Sequence, residues 1–410
     1  MIRSDVVITG LGVISAFGPD TAAFAAGLRE GRTAISKLTR FDASRCRSEL
    51  VGQAPDPTFP SSFPIAHHAS RPDLFGLNAA LQAVSDAGLS PDDLRHAAVL
   101  FGTGVGGAEQ TETYIRTLLD SQRPDAGLLI AHQPAAVTDL VARALTAHGP
   151  RSTVMTACSS SALAISQGRD LILLGQADVA LCGGAEGLCA LTTAGFSALR
   201  ATSPELCRPF DRDRKGLNLG EGAAVLVLES IEHARRRGAR IYARLIGTGL
   251  SCDAYHMTAP QPQGEGALAA MRAACRDAGI APTAIEYINA HGTGTQHNDA
   301  AETAAVRSLL GSHTPRVPIS SIKSMLGHTL GAAGAIEAAA SVLSIVHGML
   351  PPTAQLQNPD PAFGSADPDQ PGSAFDFVLG ATRLQPCGVV LSSSFAFGGN
   401  NAALLFAQPA

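Results

Sequence analysis

The sequence predicts an α/β fold built from two related halves. Three observations carry this reading. Short apolar or β-branched runs alternate with Ala-rich stretches of helical period. One segment recurs about half a chain later. A stretch near residue 340 is almost wholly apolar, as a helix buried on every side must be.

Taken in order, strands are predicted over residues 5–9, 97–101, 179–182, 223–228, 286–290, 317–320 and 389–392. Helices are predicted over 74–87, 135–146, 159–175, 266–278, 300–310 and 332–348. The repeat aligns residues 80–91 with 270–282. Each copy continues through a linker and a strand into Gly-Thr-Gly, at 102–104 and at 292–294. Residues 7–12 likewise echo 245–250. Two copies of one β/α unit are expected, 1–235 and 236–410, with the boundary inside 229–240. The basic run 232–238 at that boundary reads as a solvated helix end. Residues 37–73 and 354–376 read as loops.

Composition narrows the class. The chain has 410 residues, of which 45% are hydrophobic and 16% charged. That suits a large core and excludes disorder or a coiled coil. A net charge of −5 gives no nucleic-acid footprint. None of the eight cysteines forms a C-x-x-C pair, which argues against a structural zinc site. The first residues lack the apolar core of a signal peptide. Gly, His or charge interrupts the longest apolar runs, so no membrane span is expected. A reduced, cytoplasmic protein is the expectation.

Four constellations can carry chemistry. In the first, a strand meets a helix at Cys158, which is followed by Ser159, Ser160 and Ser161. A thiol at a helix N-terminus is expected to have a lowered pKa, although buried, inert cysteines are as common. In the second, His291 ends a strand and enters a loop holding Thr293 and Thr295, hydroxyls suited to a polar linker. His297 follows, but no third ligand stands at metal-binding spacing. In the third, Lys323 and His328 precede the apolar helix, and Glu302 is the carboxylate expected to pair with Lys323. In the fourth, Phe395 and Phe397 run into Gly398 and Gly399, where backbone N–H groups can face a ligand. The Gly-rich stretches 102–107 and 183–187 lack the residues of a phosphate or dinucleotide loop.

Taken together, these motifs resemble the β-ketoacyl-acyl-carrier-protein synthases of fatty acid and polyketide synthesis. The resemblance runs from residues 7–12 to 397–399. It includes Arg208 to Arg214 (Arg-Pro-Phe-Asp-Arg-Asp-Arg), the Leu-Gly-Glu-Gly at 219–222, and the segments opening at His291 and Lys323. It implies the thiolase fold, two pseudo-symmetric halves in a five-layered αβαβα structure. It implies an acyltransferase with Cys158 as nucleophile and His291 and His328 as enolate stabilisers, the set of the elongating class. Lys323, paired with Glu302, would hold His328 in its donor tautomer, and Phe397 would gate the second substrate. Thr293, Thr295, Phe395, Gly398 and Gly399 would contact substrate. The acyl chains would arrive on the phosphopantetheine of an acyl carrier protein, with no metal and no further cofactor. Carrier proteins are acidic, so basic residues are expected at the entrance, with Arg71, Arg116, Arg123 and Arg200 as candidates. The resemblance also implies a homodimer, or a heterodimer with a chain-length-factor-like homologue. A thioesterase or decarboxylase on the same fold is the competing activity.

This chain departs from the common pattern at Asn298–Asp299, at Asn400–Asn401 and at Asn218. The form at 216–222 resembles type II polyketide or aryl-polyene synthases more than housekeeping enzymes.

Overall fold

The computed structural model describes residues 5–59, 68–364 and 374–409. Segments 60–67 and 365–373 of the two expected loops lie outside the described residues. The first half contains β1 (Val6–Ile14), α1 (Arg71–Ala87), β2 (Ala98–Gly102), α2 (Ala136–Ala144), β3 (Arg151–Val154), α3 (Ser160–Leu173), β4 (Val179–Glu186) and β5 (Gly222–Ser230). The second contains β6 (Ala243–Cys252), α4 (Glu265–Ala278), β7 (Tyr287–Asn289), α5 (Gln296–Leu310), β8 (Pro318–Ser320), α6 (Ala333–His347), β9 (Asp376–Phe377), β10 (Val389–Phe395) and β11 (Asn400–Ala407). Each strand and helix read from the sequence is present. Strands β3, β6, β9 and β11 are additional.

The eleven strands are ordered β9-β8-β7-β10-β11-β6-β1-β5-β4-β2-β3. The halves meet where Val7 pairs with Arg244 and Ile8 with Ala243. Outward from that seam each half runs through two antiparallel pairs and then two parallel ones. The short edge strand β9 has no counterpart.

Core packing gives the layers. Helices α3 and α6 sit in the middle: Ile165 and Ile336 share one cluster with Leu226 of β5 and Leu404 of β11. Outside, α1 and α2 cover one half through Leu77, Val99 and Val141. The other half is covered by α4 and α5 through Met271, Ile288 and Val306. The result is the five-layered αβαβα thiolase fold.

The internal echoes have a packing cause. A Cβ at Gly12 would lie 1.9 Å from the Ala79 carbonyl oxygen of α1, and one at Gly249 would lie 2.0 Å from that of Ala270 in α4. Each outer helix rests directly on strand backbone, which only glycine permits. The repeated Asp-Ala-Gly is explained in the same way. Asp86 accepts from the Leu11 N–H at 2.9 Å, and Asp277 accepts from that of Thr248 at 3.0 Å.

Helix α6 is buried from Ala333 through Ser344. The stretch Leu330–His347 has a mean hydropathy of 1.5 over 18 residues, long and apolar enough to span a bilayer. In the fold, however, 83% of it is buried as the central helix. The basic run at the boundary is a helix end with Arg235 and Arg236 exposed, as read, but two of its members turn inward. His233 is buried, with its ring nitrogens 2.5 Å from Glu229 and 3.2 Å from Asp93, and Arg237 pairs with Glu229.

Candidate active site at the seam of the two halves

Strand β3 carries the chain to Thr156, and a sharp turn then presents Cys158 at the head of α3. Ala157 takes a φ of +51°, a left-handed conformation that costs a non-glycine residue about 1–2 kcal/mol. The turn is clasped by Ser160, whose hydroxyl accepts from the Thr156 N–H at 2.9 Å and donates to the Ala157 carbonyl at 2.7 Å. Gly102 lets β2 end against this turn, since a Cβ there would lie 2.2 Å from the Ser161 nitrogen.

The Cys158 sulfur is buried, 3.0 Å from His328 Nε2, and it accepts from the Phe397 N–H. Burial pushes the thiol up to about 12, against the pull of the Lys323 charge and the Phe397 N–H. The expectation of a lowered thiol pKa therefore does not hold for the resting site. Removal from water outweighs the helix terminus, and His328 lies where it can take the proton.

Both imidazoles come from the second half. His291 follows β7, and His328 follows a turn of helix at Lys323–Leu326. Their rings meet edge-on, with centroids 5.4 Å apart. Burial, with the nearby Lys323 charge, holds both well below the ordinary histidine range. Both are therefore neutral.

This neutrality predicts a pH dependence of stability. Unfolded histidine titrates near 6.5, so the unfolded chain takes up protons first as the pH falls. The stability the two histidines confer is complete above that pH. It is lost below it, at up to about 1.4 kcal/mol per pH unit for each. Urea midpoints between pH 7.5 and 5 should fall steeply for the wild type and less for the His291→Asn, His328→Asn double variant. Equal slopes would mean that protons reach the imidazoles freely in the fold.

Lys323 corrects the expected pairing. Its ammonium bonds Glu337, the single charged residue of the apolar helix α6, and not Glu302. It also lies 3.3 Å from Nδ1 of His291. An ammonium can only donate, so Nδ1 accepts, and the His291 proton sits on Nε2. Lys323 thus sets the tautomer of His291 rather than that of His328. Glu302 holds backbone instead: its two oxygens accept from the N–H groups of His291 (2.8 Å) and Gly292 (2.7 Å). Burial pushes this carboxyl up to about 8, and Glu337 to about 7.

Cys158, His291 and His328 open onto a cavity of about 580 Å³. Thr293 and Thr295 line it, with their hydroxyls 2.9 Å apart. Phe395 packs its ring 5.9 Å from that of His291, while Phe397 stacks on Phe196 at 5.7 Å. Gly398 and Gly399 do not offer N–H groups to the cavity. Those groups donate to the carbonyls of Met257 and Ala396. Their φ angles of +84° and +77° show what glycine is for here, a turn that side chains resist.

Of the four arginines expected at the entrance, Arg200 is exposed and lines the cavity. Arg71 does not: it is largely buried and pairs with Glu221 and Asp56. Arg116 and Arg123 are exposed, but neither lines the cavity. Arg47 and Lys215, which the sequence reading left out, do line it.

Three other supporting residues were missed. Glu337 was visible as a lone charge in an apolar run. Glu186 lies in a Gly-rich stretch set aside as no phosphate loop; it accepts from the N–H groups of Gly104 (2.6 Å) and Gly331 (3.0 Å) and so binds the two halves beside Cys158. Asn218 accepts from the Cys207 N–H at 2.7 Å, and its own carbonyl accepts from the His328 N–H at 2.7 Å. The unusual residue there anchors a catalytic-loop neighbour.

A doubled α/β fold with a cysteine and two histidines brought together at its seam is the arrangement of a thiolase-fold condensing enzyme. Residues 3–234 match the family model for the β-ketoacyl synthase N-terminal domain, and residues 242–357 match that for its C-terminal domain. The chain belongs to the β-ketoacyl synthase family. It is 40% identical over 421 residues to a 3-oxoacyl-[acyl-carrier-protein] synthase 2 of Synechocystis sp., covering 98% of each chain. It is 39% identical over 424 residues to a putative polyketide β-ketoacyl synthase 1 of Streptomyces halstedii, again covering 98% of each. Among solved structures, the ishigamide ketosynthase/chain length factor matches with a TM-score of 0.91 and 37% identity over the whole of both chains. The protein is an acyltransferase of the 3-oxoacyl-[acyl-carrier-protein] synthase type.

Proposed function

We propose that the chain joins an acyl group held on Cys158 to malonyl-acyl carrier protein, with loss of CO2, to give β-ketoacyl-acyl carrier protein in polyketide or fatty acid elongation. The observation that carries this is the Cys158 sulfur, 3.0 Å from His328 and sharing one cavity wall with His291.

The Cys158 proton passes to His328 as sulfur attacks the acyl-carrier thioester. His328 passes that proton on to the departing carrier thiol, so an acyl-enzyme and a neutral His328 remain. Malonyl-carrier protein then enters along Thr293 and Thr295, whose hydroxyls bond its phosphopantetheine arm. As the carbon–carbon bond to CO2 breaks, negative charge builds on the thioester oxygen. Nε2–H of His291, set by Lys323, donates to it, and so does His328, which carries its ring proton on Nε2 once the thiol no longer donates there, since its Nδ1 has no protein partner. The enolate carbon attacks the Cys158 thioester, and the N–H groups of residues 158 and 397 hold the oxyanion until Cys158 leaves. Phe397 gates the second substrate from its stack on Phe196. The reaction needs no metal. Cys158, His291 and His328 do place donor atoms within 4.8 Å of one another, but the Lys323 ammonium beside His291 repels a divalent cation.

The carrier protein docks at the cavity mouth, where Arg47 and Arg200, with Lys215 in an ion pair with Glu205, present positive charge to an acidic surface. A second subunit, a like chain or a chain-length-factor-like homologue, covers the exposed Ile115, Leu118, Leu119 and Ile130. The eight free cysteines suit a reducing cytoplasm.

The test is reconstitution with acyl- and malonyl-carrier proteins, read by mass spectrometry. His291→Ala should suppress malonyl decarboxylation far more than acylation of Cys158, whereas His328→Ala should suppress both, because His328 also takes the thiol proton. Either variant keeping full decarboxylation, or His328→Ala keeping full acylation, overturns the assignment. A chain that condenses alone needs no unlike partner; one that hydrolyses the acyl-enzyme is a thioesterase.

A further inference from the structure

The motif from Arg208 to Arg214 takes no part in the reaction above, yet it wraps the base of the loop that carries His291. Phe210 is fully buried with a φ of +66°, and its ring fills the space beside Gly292, where a Cβ would lie 2.9 Å away. Its N–H donates to Asp299, which also accepts from Gly294. Arg214 is 4% exposed and reaches the cavity wall. Its guanidinium donates to the carbonyls of Thr295 (3.4 Å) and Gln296 (3.2 Å), and on its other side to Asp211 (2.9 Å) and Asp360 (2.6 Å). The Gln296 amide returns a bond to the Arg214 carbonyl at 2.7 Å. A buried guanidinium is costly to place, and this one grips the backbone immediately after the two threonines.

We infer that Arg214 is a positioning residue for Thr293 and Thr295, and that it sets affinity for the pantetheine arm rather than the chemistry at Cys158. The inference rests on the reading that those threonines bind the arm. A guanidinium spans two carbonyls and two anionic or carbonyl partners at once because its donors form a rigid fork. Lysine keeps the charge but not the fork.

The experiment compares two substrates on Arg214→Lys. Malonyl-pantetheine carries the arm; S-phenyl thioacetate lacks it and reports only acylation of Cys158. KM for malonyl-pantetheine should rise roughly tenfold, the scale of one or two lost hydrogen bonds, while acylation by the phenyl thioester falls by no more than about threefold. The same change made in a Thr293→Val, Thr295→Val background should add little, because its route of action is already gone. Equal losses on both substrates would overturn the inference, as would full additivity. If the threonine variant binds malonyl-pantetheine normally while Arg214→Lys does not, the threonine reading fails and Arg214 acts by another route. Should Arg214→Lys fold poorly, Asp360→Asn loosens the guanidinium from the partly exposed side. It should show the same split in milder form, and an unchanged KM ratio there overturns the inference.

Discussion

Cys158→Gln abolishes condensation and leaves decarboxylation running. The reaction has two separable demands. Storage of the acyl group needs a nucleophilic sulfur, whereas loss of CO2 needs only donors for the enolate oxygen. Glutamine removes the first. Its planar amide carbonyl also mimics the acyl thioester and can enter the site that the backbone at 158 and 397 offers. The thiol proton that faces Nε2 of His328 at rest is gone, so both imidazoles stay free to donate. The variant should convert malonyl-carrier protein to acetyl-carrier protein faster than the unacylated parent. Cys158→Ala, with no carbonyl, should be the slower decarboxylase. Acetyl-carrier protein formed over time in all three proteins is the measurement. Any condensation product from the Gln variant would falsify the assignment of Cys158 as nucleophile.

Lys323→Ala should cost both stability and turnover. It strips a buried carboxylate of its partner, a change worth about 3–5 kcal/mol, and it removes the donor that fixes the His291 tautomer. Burial already raises Glu337 to about 7. Without the ammonium its pKa rises further, so the variant's loss should be smaller at pH 6 than at pH 8, where Glu337 must either ionise or be protonated at a cost. The paired change Lys323→Met, Glu337→Leu should recover much of the stability and none of the activity. Chemical denaturation at the two pH values, with decarboxylation assays, separates the effects. Recovery of turnover in the double variant would show that Lys323 serves the fold alone.

The comparison of Lys323 with Cys158 shows what a chain can and cannot disclose. Cys158 and His291 were legible because each follows a strand inside a dense motif of small residues, and His328 because it stands with Lys323 in another such motif just ahead of the apolar helix. The doubling was legible because its cause is local. Gly12 and Gly249 must admit a helix backbone, and Asp86 and Asp277 must bond a strand N–H, so both halves keep the same residues. Partner identity was not legible. Glu302 lies nearer the histidine loop in the chain and looks like the natural partner of Lys323. It is spent on two backbone N–H groups, and the ammonium turns instead to Glu337 on the central helix α6. Glu337 is the single charge in an apolar run, the one signal that could have pointed to a buried partner. The thiol was misjudged for a related reason. A helix N-terminus is visible in sequence, but the water it loses on burial is not, and desolvation is the larger effect here.

Through the resemblance of its motifs to a known family the chain also implied the layered fold; by itself the sequence determined the α/β class, the two halves and the candidate set Cys158, His291 and His328. Each of these is written in short-range pattern or in side-chain types that chemistry demands. Only the tertiary structure decided which carboxylate holds Lys323, which histidine Lys323 orients, that Arg71 is tied up internally while Arg200 reaches the entrance, and that Gly398 and Gly399 shape a turn instead of donating to substrate. All four are matters of direction. Where a side chain or an N–H points depends on the packing of layers distant in the chain, and no local pattern records it.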